Sequence, residues 1–262
     1  MFKQRLLTTL ILVPLVFLAI YYGNTWTLSA VTLGLLVAIG WEWLSLIVIK
    51  NLTYKFIFMV GLLVTFFICI HFLNTFLKVN FIVWAMIIPA IIFYPKSEKY
   101  FGNVYVVGLA CLFIASVFIS SLYGILVNQY AKDYLVYLLL LVWATDIGAY
   151  LTGKKLGRHK LIPNVSPGKT IEGTIGGFIL AMLVATLAYF YFKPTFCFAW
   201  FGLAVFIVFI SIFGDLFISM LKRRCKVKDT GNLLPGHGGV LDRLDSLIAA
   251  LPFFYFFSET FL

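Results

Sequence analysis

Apolar residues run along this chain in blocks of about 17–24 positions, each long enough at 1.5 Å per residue to cross a hydrocarbon core of ~30 Å as a helix. The blocks, with the short polar breaks between them, predict spanning helices at 6–22, 26–49, 56–73, 80–94, 104–127, 133–153, 173–192, 198–222 and 240–261. The fourth is the shortest and ends between Pro89 and Pro95. The expected fold class is all-α, a polytopic integral membrane protein with a single membrane domain over 1–262. Its N-terminal helices occupy 1–130 and its catalytic half 131–262. Nine crossings place the two termini on opposite sides.

Composition agrees with the pattern. The chain is 63% hydrophobic and 11% charged, against about a quarter charged in soluble domains. Lys and Arg test the topology, because they crowd cytoplasmic loops. With the N-terminus inside, all but Lys78, Lys132 and Lys193 of the 20 Lys and Arg fall on the cytoplasmic side. Lys3 and Arg5 before an apolar run resemble a signal peptide, but no small-residue cleavage site follows at Tyr21–Asn24, so a retained first helix is expected. The net charge of +10 gives that inner face an attraction for anionic headgroups and nucleotides. No nucleic-acid motif is present. Cys69, Cys111, Cys197 and Cys225 are scattered without C-x-x-C spacing and predict neither a zinc site nor a disulfide framework.

The acids are placed less evenly than topology requires. Glu42 lies eight residues before Lys50, Asp146 eight before Lys154 and Asp215 seven before Lys222. At helical rise these carboxylates sit about 10–12 Å below the basic layer. Asp242 and Asp245 enter the last helix from the same side, so five acids share one zone. An ionised carboxylate near the bilayer core costs about 2.5–3.5 kcal/mol on the insertion scale, and several at one level imply a hydrated or cation-filled cavity. Glu42, between Trp41 and Trp43, reads first as a helix-pairing residue. Asp146 and Asp215 stand beside the helix glycines Gly148 and Gly214, and a functional reading is favoured for both.

One polar stretch breaks the oily sequence most deeply. From Ser219 to Asp245 it carries Lys222, Arg223, Arg224, Lys226 and Lys228, then a turn-rich segment with Gly236, His237, Gly238 and Gly239, then Asp242 and Asp245. Glycines let a backbone approach a phosphate closely. Two acids three apart share a helix face, and Mg²⁺ prefers one or two carboxylates together with substrate phosphates. Cations, glycines and paired acids describe a metal–phosphate site. His237 is placed to contact a phosphate; no second His or Cys accompanies it as a metal ligand.

A second basic loop runs from Gly153 to Lys160 and on through Ser166-Pro167-Gly168-Lys169-Thr170-Ile171-Glu172-Gly173. Gly168-Lys169-Thr170 suggests a phosphate-binding P-loop, but Pro163 stands where that motif needs its first glycine. What remains is a helix opened by Ser166 as N-cap and Pro167 at the first helical position, whose N–H groups favour a phosphate. Lys169 and Thr170 would add a charge and a hydroxyl. His159 reads as a hydrogen-bonding loop residue.

The long stretch resembles the signature of the phosphatidate cytidylyltransferases (CDP-diacylglycerol synthases). Ser219, Leu221, Lys222, Arg223, Lys228, Asp229, His237, Gly238, Gly239, Asp242, Arg243 and Asp245 fill the pattern without a departure. Gly214-Asp215, Asp146-Ile147-Gly148-Ala149-Tyr150 and the Ser166–Gly173 string are similar to the family's other segments, so the likeness covers residues 143–245. It implies CTP and phosphatidate as substrates, CDP-diacylglycerol and diphosphate as products, and membrane lipid as surroundings. It also implies Mg²⁺ with room for a second cation; a homodimer is the assembly expected. By the same likeness Asp215, Asp242 and Asp146 would bind metal. Lys222, Arg223, Lys228, Asp229, His237, Arg243 and Asp245 would serve the reaction, and Ser166, Gly168, Lys169, Thr170, Glu172, Ser219, Gly238 and Gly239 would bind substrate. Among rival readings, a CDP-alcohol phosphotransferase lacks its D-G-x-x-A-R string here. A CTP-dependent polyprenol kinase would transfer the γ-phosphate instead of CMP. An ion-coupled transporter would explain intramembrane acids but not two glycine-rich basic loops on one side.

Overall fold

The computed structural model describes residues 2–49, 51–128, 131–233 and 238–261, with only the backbone for 2–9, 11, 12 and 259–261. Among the described residues there are nine long helices and one short one: α1 (Phe2–Tyr22), α2 (Thr25–Ile47), α3 (Leu52–His71), α4 (Leu73–Ile92), α5 (Glu98–Phe101), α6 (Val104–Val127), α7 (Lys132–Leu156), α8 (Ile171–Phe192), α9 (Cys197–Arg224) and α10 (Leu241–Phe261). Among the described residues, α2, α3, α4, α6, α7, α8 and α9 are long and apolar enough to cross a membrane. Much of their surface also suits lipid. On α8 the apolar Ile175, Ile179, Leu183, Leu187 and Phe190 are all exposed, an apolar row at helical spacing of the kind that faces lipid or another apolar surface. This is a multi-pass membrane protein.

Asparagine starts three of the helices. Asn24, Asn51 and Asn103 each accept a backbone N–H from the first turn, at Thr27, Thr53 and Tyr105. Such side chains satisfy donors that the helix cannot.

Two sequence expectations change. The fourth helix begins at Leu73, not near residue 80, and only Phe72 separates it from α3. Asn74 and Lys78 fall in the expected break between 73 and 80, yet the first turns of α4 absorb them, Lys78 pointing outward, and Asn80 is buried in the same helix. The fold is also not purely helical. Between α7 and α8 an antiparallel hairpin pairs β1 (Lys160–Ile162) with β2 (Ser166–Thr170), Lys160 opposite Thr170 and Ile162 opposite Ser166. Ser166 therefore caps no helix and Pro167 opens none. Thr170 is the N-cap of α8, its Oγ1 accepting the Gly173 N–H at 3.1 Å. An exposed Pro167 is tolerated in a two-stranded ribbon because it removes a donor only from an edge.

Small residues bring the helices of the second half together. The buried positions of α8 are Gly173, Gly177, Ala181 and Ala185, a stripe at intervals of four facing α7. A Cβ at Gly148 would meet the Gly176 carbonyl at 2.6 Å, so the two backbones touch there. Between α9 and α10 Gly214 does the same, with the Asp245 carbonyl 2.5 Å from where its Cβ would be. The glycines beside Asp146 and Asp215 thus serve close helix packing, and that packing sets where the acids stand. One core joins both halves of the chain, with Trp43 of α2 and Trp84 of α4 packed on Phe217 of α9 at 6.1 and 5.7 Å between ring centres.

Candidate functional site

The polar groups gather at one end of the bundle, where α2, α4, α7 and α9 finish and α8 and α10 begin. The β1–β2 hairpin closes over this end. Its tip residue Val165 is fully buried, the Arg223 Nε donates to the Val165 carbonyl at 3.2 Å, and Asn164 Nδ2 donates to the Tyr94 carbonyl at 3.3 Å. Arg223, expected at the substrate, therefore ties the end of α9 to the hairpin. Glu172 ties the hairpin's base. Its carboxylate accepts the N–H groups of Arg158 and His159 and pairs with His159 Nδ1 at 2.6 Å.

The hairpin carries Lys169 to the membrane acids. Its ammonium lies 2.7 Å from Asp215 Oδ2, with both side chains about a quarter exposed. Ser219, one turn further along α9, donates to Asp215 Oδ1 at 3.2 Å. Asp146 of α7 and Asp245 of α10 stand within electrostatic reach of Asp215 and of Lys169, and Arg243 within reach of Asp146. Three acids thus face one lysine and one arginine.

A second group forms around Asp242. Lys222 Nζ lies 2.6 Å from its Oδ1, and the aspartate side chain is only 5% exposed. Its Oδ2 accepts the N–H of Thr230 at 2.8 Å and the N–H of Gly239 at 3.0 Å, and the Thr230 hydroxyl lies 3.0 Å from it. Asp242 begins α10 and simultaneously holds both flanks of the glycine-rich segment. Gly238, at φ 86, occupies the left-handed region that side-chain-bearing residues avoid. Because Asp242 and Asp245 are three residues apart on one helix face, the two groups adjoin.

The expected site residues separate accordingly. Asp146, Asp215, Asp242, Asp245, Lys169, Lys222, Ser219, Gly238, Gly239 and Arg243 come together at this end. Lys228, Asp229 and Gly168 are exposed on its rim, and Ser166 is half-buried in β2. Thr170 is buried as the cap of α8. His237 lies outside the described residues.

Sequence reasoning missed Thr230 and saw only part of what Glu42 does. The Glu42 carboxylate does join α2 to another helix, but through backbone and hydroxyl donors at the start of α10: it accepts hydrogen bonds from Thr230, Val240 and Leu241. The signal was its depth, shared with the other acids.

The comparisons with known proteins cover this architecture from end to end. A family model described as the cytidylyltransferase family matches residues 3–261. The phosphatidate cytidylyltransferase of Haemophilus influenzae is 35% identical over 98% of this chain and 98% of its own length. That of Pseudomonas aeruginosa is 36% identical over 97% and 96% respectively. That of Bacillus subtilis is 40% identical over 63% of this chain and 62% of its own length. With its basic hairpin, clamped glycine segment and cluster of membrane acids all inside the matched span, the chain belongs to the cytidylyltransferase family.

Proposed function

We propose that this protein is a phosphatidate cytidylyltransferase, converting CTP and phosphatidate to CDP-diacylglycerol and diphosphate. The observation that carries the reading is the match to the Haemophilus phosphatidate cytidylyltransferase over 98% of both chains. The geometry agrees, because two lysines and an arginine converge with four carboxylates at one end of a lipid-facing bundle.

The reaction is a nucleotidyl transfer. A phosphate oxygen of phosphatidate attacks the α-phosphorus of CTP; that P–O bond forms as the bond from the α-phosphorus to the bridging oxygen breaks, and diphosphate leaves with the electron pair. A phosphate monoester is already an anionic nucleophile, so no strong base is required. This suits a site rich in cations and carboxylates. Lys169 and Lys222, each held by an aspartate, present fixed positive charge where charge builds on the leaving diphosphate.

Mg²⁺ fits the donor set. Among the described residues no three Asp, Glu, His or Cys side chains are grouped as a metal cage. Mg²⁺ needs none, since it is held by one or two carboxylates, substrate phosphates and water. The acids around Asp215 outnumber the cations beside them, and a divalent ion would offset the excess. Asp215, with Asp146 and Asp242, would hold it, a second cation would have room at Asp245, and the metal would neutralise triphosphate oxygens. We place the site at the cytoplasmic face of the cell membrane, with nine crossings and the N-terminus inside, on the distribution of Lys and Arg.

Purified protein in mixed micelles should release diphosphate from CTP only when phosphatidate is added, one per CDP-diacylglycerol formed. Diphosphate release that ignores phosphatidate, or none at all, would sink the proposal.

A further inference from the structure

Of the five acids that share one depth, Glu42 is the one that the reaction described above does not use. It belongs to α2, in the half of the chain that carries none of the signature, and it is 2% exposed. Its two oxygens receive three donors from the far end of the sequence: the Val240 N–H at 2.7 Å on Oε1, and the Leu241 N–H at 2.8 Å and the Thr230 hydroxyl at 2.9 Å on Oε2. Val240 and Leu241 are the residues that open α10, and their N–H groups have no partner within the helix. The carboxylate thus caps α10 from another helix.

The surroundings are cut to admit it. A Cβ at Gly239 would collide with Glu42 Oε2 and the Thr230 Oγ1, and one at Gly231 would lie 2.9 Å from Glu42 Oε1. Only hydrogen fits on either side. Nearby contacts lie at the same junction, with the Ser45 hydroxyl 2.6 Å from the Glu42 backbone carbonyl and 3.0 Å from the Thr230 carbonyl, and Cys225 Sγ donating to the Leu46 carbonyl at 3.0 Å.

Thr230 connects this anchor to the site. Its hydroxyl lies 2.9 Å from Glu42 Oε2 and 3.0 Å from Asp242 Oδ2. A hydroxyl has one hydrogen, so it serves one carboxylate at a time. Its N–H is bonded to Asp242 throughout. Asp242 itself follows Leu241 directly, so whatever fixes the Val240 and Leu241 N–H groups fixes the aspartate.

We propose that Glu42 is a positioning residue for cytidylyl transfer. It holds Thr230 and the first turn of α10 so that Asp242 and the Gly239 backbone face the phosphates in one geometry. The inference rests on the function proposed above and adds that the N-terminal helices build part of the site. A simple helix-pairing acid would be indifferent to the state of Thr230; this one acts through it.

The test compares wild type, Glu42→Gln, Thr230→Val and the double variant for kcat, both KM values and Tm in mixed micelles. Glutamine keeps the shape but turns an amide N–H toward a backbone N–H, so one donor at the start of α10 loses its acceptor. Misplacement by 1 Å costs about 10²-fold in rate. We expect Glu42→Gln to lower kcat at least about tenfold while the KM for CTP and Tm stay near wild type. Thr230→Val should lower kcat as well, and the double variant should be no slower than the slower single, because the two share one contact. Retention of half the kcat by Glu42→Gln, losses that track a fall in Tm, or losses that multiply in the double variant would overturn the proposal. Should Glu42→Gln not fold, Thr230→Val decides alone: lower kcat at unchanged Tm supports it and unchanged kcat sinks it. Wild type without cytidylyltransferase activity would sink the function instead. Amide exchange at Val240 and Leu241 would then still test the anchor, as slow in wild type and fast in Glu42→Gln, or equally fast in both against it.

Discussion

Lys169, at the end of a surface hairpin, and Asp215, inside α9, form an ion pair at 2.7 Å. The contact brings the two basic segments of the sequence to a single place, although 46 positions separate them in the chain. It also sets what each partner should do when nucleotide arrives. A lysine released from Asp215 becomes a point charge for a phosphate, and the aspartate becomes available to a cation.

Lys169→Ala should therefore raise the KM for CTP more than that for phosphatidate. A hydrogen bond to a charged group is worth about 1.5–3 kcal/mol, roughly a 10- to 100-fold rise. Steady-state kinetics with each substrate varied in turn checks this. A selective rise for phosphatidate would give the hairpin to the lipid instead. Equal losses in kcat and kcat/KM would mean that the lysine acts only on the departing diphosphate.

Asp242→Asn should abolish turnover while the protein stays folded and inserted. An amide supplies one neutral oxygen where the carboxylate meets Lys222, Thr230 and Gly239 together. Loss of a key electrostatic group costs about 10²-fold or more. Activity above about a tenth of wild type at saturating Mg²⁺ would contradict the role given to this acid.

Gly239→Ala should be as damaging as the loss of Asp242 although it removes no charged group. The added methyl has no room between Glu42 and Thr230. Gly202→Ala is the control, because a Cβ there meets open space and the residue lies outside the site. Equal activity of the two variants would mean that the clamp around Gly239 is not required.

A reporter fused after Leu262 should appear outside the cell and one inserted near Lys226 inside it. The segregation of all but Lys78, Lys132 and Lys193 from the outer side demands this. Both reporters on one side would mean that α10 does not cross.

Much of the site was legible because its residues lie close in sequence. Lys222, Gly239, Asp242 and Asp245 fall within one signature, and their grouping needed no tertiary knowledge. Depth counting along the helices also put Asp146 and Asp215 at the level where they meet Asp245. Other features depend on contacts that no local pattern carries. Ser166-Pro167 has the chemistry of a helix start, yet pairing with Ile162 and burial of Val165 favour a strand, and the cap passes to Thr170. The start of α4 was hidden by Asn74 and Lys78, whose polarity resembles a loop. Glu42 was the hardest, since its donors lie 188 to 199 residues away.

The central claim is that CMP, and not a phosphoryl group, moves to the lipid. Incubation with phosphatidate and CTP labelled either at the α- or at the γ-phosphorus tests it most directly. Label from the α-phosphorus should enter the lipid phase and label from the γ-phosphorus should leave as diphosphate. Label from the γ-phosphorus in the lipid would make the protein a kinase and contradict the account.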